Sequence, residues 1–183
     1  MLTPIFAPRR SIPTQSRLKK GFTLIELGIA ILVSFVVVAI ALAVAGLVTT
    51  NTDAKRAEQE LLVIGSAART AFTTSSDYGT VDLTTYLANS ADIPDTLKKT
   101  VSGSTTTLSN KWNGGVSVKG ATTSFILSYA AMPKTVCNKI LPRLKTPDWS
   151  TVTVGSTAVT LPISALAADT ACAATNTVVL TAS

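Results

Sequence analysis

Histidine is absent from the 183 residues, which removes the usual general base and the commonest metal ligand of proteins. The chain has only two cysteines, and neither combines with aspartates at the spacing of a metal site. Gly114, Gly115 and Gly120 are not followed by a helical pattern, as a phosphate-binding loop requires. The sequence therefore predicts no enzymatic activity, no bound metal and no cofactor.

Acidic residues are absent from the segment 1–21, which carries five cations. Such a basic segment stays in the cytoplasm and places the following chain on the outer side of a membrane. Removing these five of the 16 cations leaves 11 against 10 acidic residues, so the remaining chain is nearly neutral. A nucleic-acid-binding surface therefore has little support. The local cluster Lys139, Arg143 and Lys145 is interpreted as a solvated helix face.

An ordinary secretory cleavage site is also missing. The uncharged, mostly apolar run 27–48 directly follows Glu26, and a helix over it would span a bilayer of about 30 Å. A secretory signal has a shorter apolar region, followed by a small-residue cleavage site. Here the small residue, Gly21, precedes the run instead. Cleavage at Gly21 would remove the positive charges and keep the membrane helix.

The segment 20–26 reads Lys-Gly-Phe-Thr-Leu-Ile-Glu, and it resembles the class III signal of type IV pilins and related filament subunits. The resemblance implies cleavage between Gly21 and Phe22 by a membrane-embedded prepilin peptidase, followed by N-methylation of Phe22. It also implies that Glu26, with Thr23 in the same motif, serves filament assembly. The alternative is a signal-anchored protein whose Glu26 faces lipid headgroups or favours the helix N-terminus.

The charge of Glu26 suggests how it acts in assembly. Cleavage creates an α-amino group on Phe22, with a reference pKa of about 7.7–8.0, and methylation keeps its positive charge. Among packed apolar helices, an unpaired ammonium and an unpaired carboxylate are both costly. Pairing Glu26 with the Phe22 amine of a neighbouring copy cancels both charges. A bond to the amine of the same chain remains possible, because residues four apart share a helix face.

The rest of the chain predicts an α+β fold in which one long helix, 22–72, packs on an antiparallel sheet. The segment 22–48 spans the membrane or forms the filament core. The segment 49–75 contains the amphipathic half of the helix, in which apolar residues recur at helical spacing. These residues are Ala57, Leu61, Ile64, Ala68 and Phe72. The head, 76–183, has predicted strands at 105–108, 116–119, 125–130, 151–154, 158–161 and 176–181. Short helices are predicted near 83–87 and 136–144, and a helical turn near 163–168. Trp112 and Trp149 are predicted to be half-buried packing residues rather than residues that stack on a ligand.

Cys137 and Cys172 both follow the predicted membrane segment on its outer side. An even number of cysteines in an oxidising compartment predicts a disulfide, with two free buried thiols as the alternative. Closing a loop of about 36 residues stabilises the folded state by about 4 kcal/mol in the chain-entropy estimate. A comparable bond in type IV pilins bounds the variable region on the filament exterior.

Within the pilin family, the long leader and the segment 110–116, Asn-Lys-Trp-Asn-Gly-Gly-Val, resemble type IVb pilins of thin and conjugative pili. Phe22 departs from that subgroup, which often begins with another apolar residue. The resemblance implies a major pilin that polymerises with identical subunits for adhesion, motility or conjugation-type contact. It would sit in the bacterial inner membrane, meet the assembly platform, and end in an extracellular filament. The alternatives are a minor pilin, a type II secretion pseudopilin or, less favoured, a DNA-uptake pilin.

Overall fold

The structure, a computed structural model, describes residues 23–72, 77–90 and 93–183, apart from the side chains of residues 45–47. The chain divides into two compact units, Met1–Ala43 and Val44–Ser183. The predicted cleavage after Gly21 and the new N-terminus at Phe22 lie outside the described residues.

The first element is the helix α1, Leu24–Ala71, which confirms the predicted long helix. No proline interrupts it, and its second half is rich in helix-forming residues. An 18-residue window of α1 has a mean hydropathy of 3.0, enough for a membrane span by length and composition. In the first compact unit, the side chains of α1 are exposed throughout.

The second half of α1 presents the predicted apolar face to the core of the second unit. Ala57, Leu61, Ile64 and Ala68 are all buried, and Phe72 is partly buried. Their spacing of three and four residues keeps them on one face of the helix. This half of α1 is therefore held by tertiary packing as well as by helix propensity.

The head contains one seven-stranded antiparallel sheet with the order β1-β2-β3-β4-β7-β5-β6. The last strand, β7, is therefore inserted between β4 and β5. The strands are β1 Lys98–Ser102, β2 Thr105–Ser109, β3 Gly115–Ala121, β4 Ser124–Pro133, β5 Thr151–Val154, β6 Thr157–Val159 and β7 Thr175–Ala182. Buried and less buried residues alternate along β4 and β7, so these strands turn one face to the core.

In the part of the head that the structure describes, three short helices accompany the sheet. They are α2 Thr84–Asn89, α3 Lys134–Ile140 and α4 Ala165–Ala171. A 3₁₀ helix, Leu141–Arg143, continues α3 and carries a proline in its first turn, so the predicted segment 136–144 is helical in two parts. Both predicted short helices are present with boundaries shifted by a few residues, and the predicted helical turn at 163–168 is the helix α4.

Trp149 corrects one prediction. It is buried, with 1% of its surface exposed, rather than half-buried, whereas Trp112 is partly buried as predicted. The reason is its partner on α1: a Cβ atom at Gly65 would lie 2.9 Å from the Trp149 ring, so only glycine leaves room for it. The Arg69 guanidinium carbon lies 5.7 Å from the centre of the Trp149 ring and 5.6 Å from that of Phe125.

Candidate assembly site

Thr23 and Glu26 form a capping box at the start of α1. The backbone N–H of Thr23 donates to Oε2 of Glu26 at 3.2 Å. In return, the backbone N–H of Glu26 donates to Oγ1 of Thr23 at 3.3 Å. These reciprocal bonds satisfy two donors that a helix start otherwise leaves unpaired. Within one chain, Glu26 therefore has the helix-terminal role that the sequence left open as an alternative to pairing with an amine.

The surface beyond this cap is apolar and exposed. Leu24, Leu32 and Phe35 are 90%, 67% and 71% exposed. The hydroxyl of Ser34 donates to the carbonyl of Ala30 at 2.7 Å, so this polar group is satisfied inside the helix. A surface this apolar requires lipid or other apolar helices around it, because its contact with water is unfavourable.

The predicted disulfide is confirmed. It joins Cys137 on α3 to Cys172, the residue after α4, with 6.1 Å between the Cα atoms. Next to it, Asp169 accepts a bond from Nδ2 of Asn138 at 2.7 Å and forms a 3.2 Å ion pair with Lys134. These two contacts, the bond from Asn138 first, lower the pKa of Asp169. The disulfide and this polar cluster both tie α3 to α4.

The segment 110–116 has a clear structural role as the connection between β2 and β3. Oδ1 of Asn110 accepts bonds from the backbone N–H groups of Trp112 and Gly114, both at 2.9 Å. Its Nδ2 donates to the carbonyl of Ala130 at 2.7 Å. A Cβ atom at Gly114 would lie 2.0 Å from that same carbonyl oxygen. Asparagine and glycine are therefore needed here for the close approach of the loop to β4.

A buried carboxylate links α1 to the head. Glu60 is 2% exposed, and its Oε2 accepts the hydroxyl of Tyr129 on β4 at 2.7 Å. Its Oε1 accepts the hydroxyl of Thr96 at 2.5 Å. Burial, and then the hydrogen bond to Glu60, raise the pKa of Tyr129. Sequence reasoning missed this site, although Glu60 follows Ala57 by three residues and so falls on the buried face of the helix.

Two threonines of α2 fill a gap in the sheet. β2 and β3 pair over only two residues each. The hydroxyl of Thr84 accepts the backbone N–H of Val118 at 3.0 Å, and that of Thr85 accepts the N–H of Thr106 at 3.1 Å. These side chains replace a ladder that β2 and β3 do not form with each other. The sequence carried no sign of this arrangement.

Two of the three cations in the candidate basic cluster make contacts within the chain. Nζ of Lys139 donates to Oδ1 of Asn51 at 2.8 Å, and Nη1 of Arg143 lies 2.9 Å from Oε2 of Glu58. Lys145 is exposed. Across the described ranges, no three His, Cys, Asp or Glu residues come together as a metal site requires.

Residues 51–183 match the family model described as PilS N terminal, which covers more than half of the chain. The chain belongs to the PilS family of type IVb pilins. This pilin is therefore a structural subunit of a pilus and not an enzyme.

The fold of this pilin is similar to that of a solved structure, a type IV b pilin from Salmonella typhi. The two have a TM-score of 0.54 and 18% sequence identity, over 67% of this chain and 96% of the other. A comparison with curated protein sequences finds no match. The structural likeness confirms the α+β pilin fold with a long N-terminal helix and an antiparallel sheet.

Proposed function

We propose that this pilin is the major subunit of a type IVb pilus, made as a precursor and cut between Gly21 and Phe22. The prepilin peptidase removes the leader, and Phe22 is then N-methylated. The mature parts are the core helix 22–48, the amphipathic helix 49–75 and the head 76–183. The observation that carries this proposal is the apolar surface of the first half of α1, which is exposed in the single chain, whereas the second half of α1 is buried in a common core with the head.

Before assembly, the subunit crosses the inner membrane once, with its leader in the cytoplasm. The assembly platform then moves it into the filament, where apolar helices of other copies replace the lipid around α1. The apolar side chains of α1 are thus transferred from lipid to protein and stay out of contact with water throughout. In the filament the heads face solvent, where they make the contacts for adhesion, motility or conjugation-type attachment.

Glu26 changes partner in this proposal. In the single chain its carboxylate accepts the backbone N–H of Thr23. In the filament it also meets the positive amine of Phe22 from a neighbouring copy. Among packed apolar helices, a subunit in the wrong axial position would leave the Glu26 carboxylate and the Phe22 amine unpaired, and an unpaired buried charge costs free energy. The pair therefore sets the axial position of each new subunit.

The variant Glu26→Gln separates the charge from the cap. A glutamine at this position still accepts the N–H of Thr23, since capping boxes use either residue, but it carries no charge. We expect normal membrane insertion, cleavage and methylation by intact-mass measurement, with sheared filaments reduced at least about tenfold, the effect of about 1.4 kcal/mol in subunit affinity. Thr23→Ser keeps both the cap and the charge, and is the matched control with normal filaments.

The possible results separate the roles of Glu26. A normal filament yield from Glu26→Gln would show that capping is the whole role of this residue, and would contradict the charge-pairing proposal. A precursor that stays uncut would assign Glu26 to recognition by the peptidase, and would contradict the proposal equally.

A further inference from the structure

Cations of the head gather around the part of α1 that follows the apolar run. The run ends at Val48, and three side chains from distant parts of the head reach the next ten residues of the helix. The contacts are Lys139 Nζ to Asn51 Oδ1 at 2.8 Å, Lys111 Nζ to Asp53 Oδ1 at 2.5 Å, and Arg143 Nη1 to Glu58 Oε2 at 2.9 Å. Lys55 and Arg56 of α1 are exposed in the same stretch.

These five cations are called the collar: Lys55, Arg56, Lys111, Lys139 and Arg143. Against them, the same stretch of α1 offers two partly exposed carboxylates, Asp53 and Glu58. The pairs do not hide the cations, because the side chains of Lys111 and Arg143 remain 44% and 39% exposed. The collar is therefore a net positive surface that solvent can reach.

The height of the collar matches lipid headgroups. At about 1.5 Å per residue, Asn51 lies about 5 Å beyond Val48 and Glu58 about 15 Å beyond it. The headgroup layer on each side of a bilayer is about 5–8 Å thick. The charged ends of Lys139 and Lys111 lie at Asn51 and Asp53, about 5 and 8 Å beyond Val48, and are therefore level with the phosphates. Lys55 and Arg56 start about 11 and 12 Å beyond Val48, and their long side chains extend several ångströms back toward the phosphates. Arg143 is held at Glu58, above the headgroup layer.

The collar also surrounds the free side of the helix. With about 100° per residue, the buried positions Ala54, Ala57 and Leu61 fall within a sector of about 60°. The helix positions that carry or contact the collar cations spread over the remaining surface. They are Asn51, Asp53, Lys55, Arg56 and Glu58. Lipid surrounds a single helix on all of its free sides, whereas a neighbouring protein contacts such a helix on one side only.

We propose that the collar binds the phosphate groups of anionic phospholipids on the outer face of the membrane, before the subunit enters a filament. This rests on the proposed membrane position of residues 22–48. The contact holds the head close to the bilayer and fixes the depth of the apolar helix. It is released when the subunit leaves the membrane, since a filament offers no lipid phosphate at that height.

The test uses the processed full chain in vesicles of phosphatidylcholine alone, or of phosphatidylcholine with phosphatidylglycerol. A membrane-impermeant amine reagent labels exposed lysines, and mass spectrometry compares Lys111 and Lys139 with Lys119. Lys119 is an internal control, because it is exposed and its neighbour Gly120 lies against Tyr78, which packs on Phe72 just after the end of α1, far from the collar. It also corrects for heads that face the vesicle interior. Co-flotation with the neutral vesicles tests membrane insertion separately. A failure of the proposed membrane position is therefore distinguished from a failure of the collar to bind anionic lipid.

We expect the labelling of Lys111 and Lys139, relative to Lys119, to fall about fivefold in the anionic vesicles. High salt should restore it, because salt screens exposed charges. The double variant Lys55→Gln and Arg56→Gln should reduce the protection. Lys98→Gln, which removes an exposed lysine of β1 outside the collar, should leave the protection of Lys139 unchanged.

Two results would overturn the proposal. Equal relative labelling in both kinds of vesicle would show that the collar does not recognise anionic lipid. Protection that is present in neutral vesicles and increases with the protein-to-lipid ratio would assign the collar to a second copy of the chain.

Discussion

Removing the hydroxyl of Tyr129 tests how α1 is fastened to the head. Tyr129→Phe keeps the buried ring but takes away the donor that lies 2.7 Å from Oε2 of Glu60. The carboxylate is 2% exposed, so water does not replace the lost bond, and Thr96 remains as the hydroxyl donor to the other oxygen. Hydrogen bonds to charged groups are worth about 1.5–3 kcal/mol, and we expect a loss of about 2 kcal/mol in the free energy of unfolding.

The assay is urea unfolding of the processed chain in a mild detergent, followed by tryptophan fluorescence. With a slope of about 1–3 kcal/mol per molar urea, the midpoint should fall by about 1 M. Tyr86→Phe is the matched control, because Tyr86 is 56% exposed, and its midpoint should stay within the error. A Tyr129→Phe midpoint equal to that of the wild type would refute the reasoning that this bond holds the helix to the sheet.

The same bond predicts a dependence on alkaline pH. Burial, and then the Glu60 bond, raise the pKa of Tyr129 above its ordinary value of 10.0. Above that pH the unfolded tyrosine loses its proton while the folded one keeps it, so the unfolded state binds fewer protons and stability falls. Below pH 10 the contribution is fully present. The decline above pH 10 should be smaller in Tyr129→Phe than in the wild type.

Two further predictions concern the head. Replacing Cys137 and Cys172 by serine should lower the free energy of unfolding by about 4 kcal/mol in the chain-entropy estimate, measured by urea unfolding, and an unchanged midpoint would contradict it. Gly114→Ala should destabilise the head by about 2 kcal/mol or more, since its Cβ would lie 2.0 Å from the carbonyl oxygen of Ala130. Gly115→Ala is its control, with no atom within 4 Å of the added Cβ; equal melting temperatures of the two variants would count against the close approach.

Much of the fold was predictable because the long helix has strong local signals. A proline-free apolar run leads into an amphipathic pattern, and the structure has α1 over Leu24–Ala71. The strands β2 to β7 were predictable from runs of apolar and β-branched residues between turn signals. The disulfide was predictable from two cysteines in a compartment that favours their oxidation.

Other features depend on contacts that a local pattern does not contain. β1 was missed because all five of its residues are exposed, so it has no alternation, and it pairs with β2 alone as an edge strand. The place of β7 between β4 and β5 depends on long-range pairing. The burial of Trp149 depends on a glycine 84 positions earlier, Gly65, which only the folded chain brings next to it.

The central claim is that the exposed apolar surface of α1 becomes the inside of a filament. A cryo-electron microscopy reconstruction of sheared filaments from cells that express this chain tests it most directly. We expect the helix from Leu24 onwards at the filament centre, surrounded by the same helix of other copies, with Glu26 in hydrogen-bond reach of a neighbouring Phe22 amine. A filament in which this apolar surface faces solvent, or in which the chain is absent, would contradict the claim.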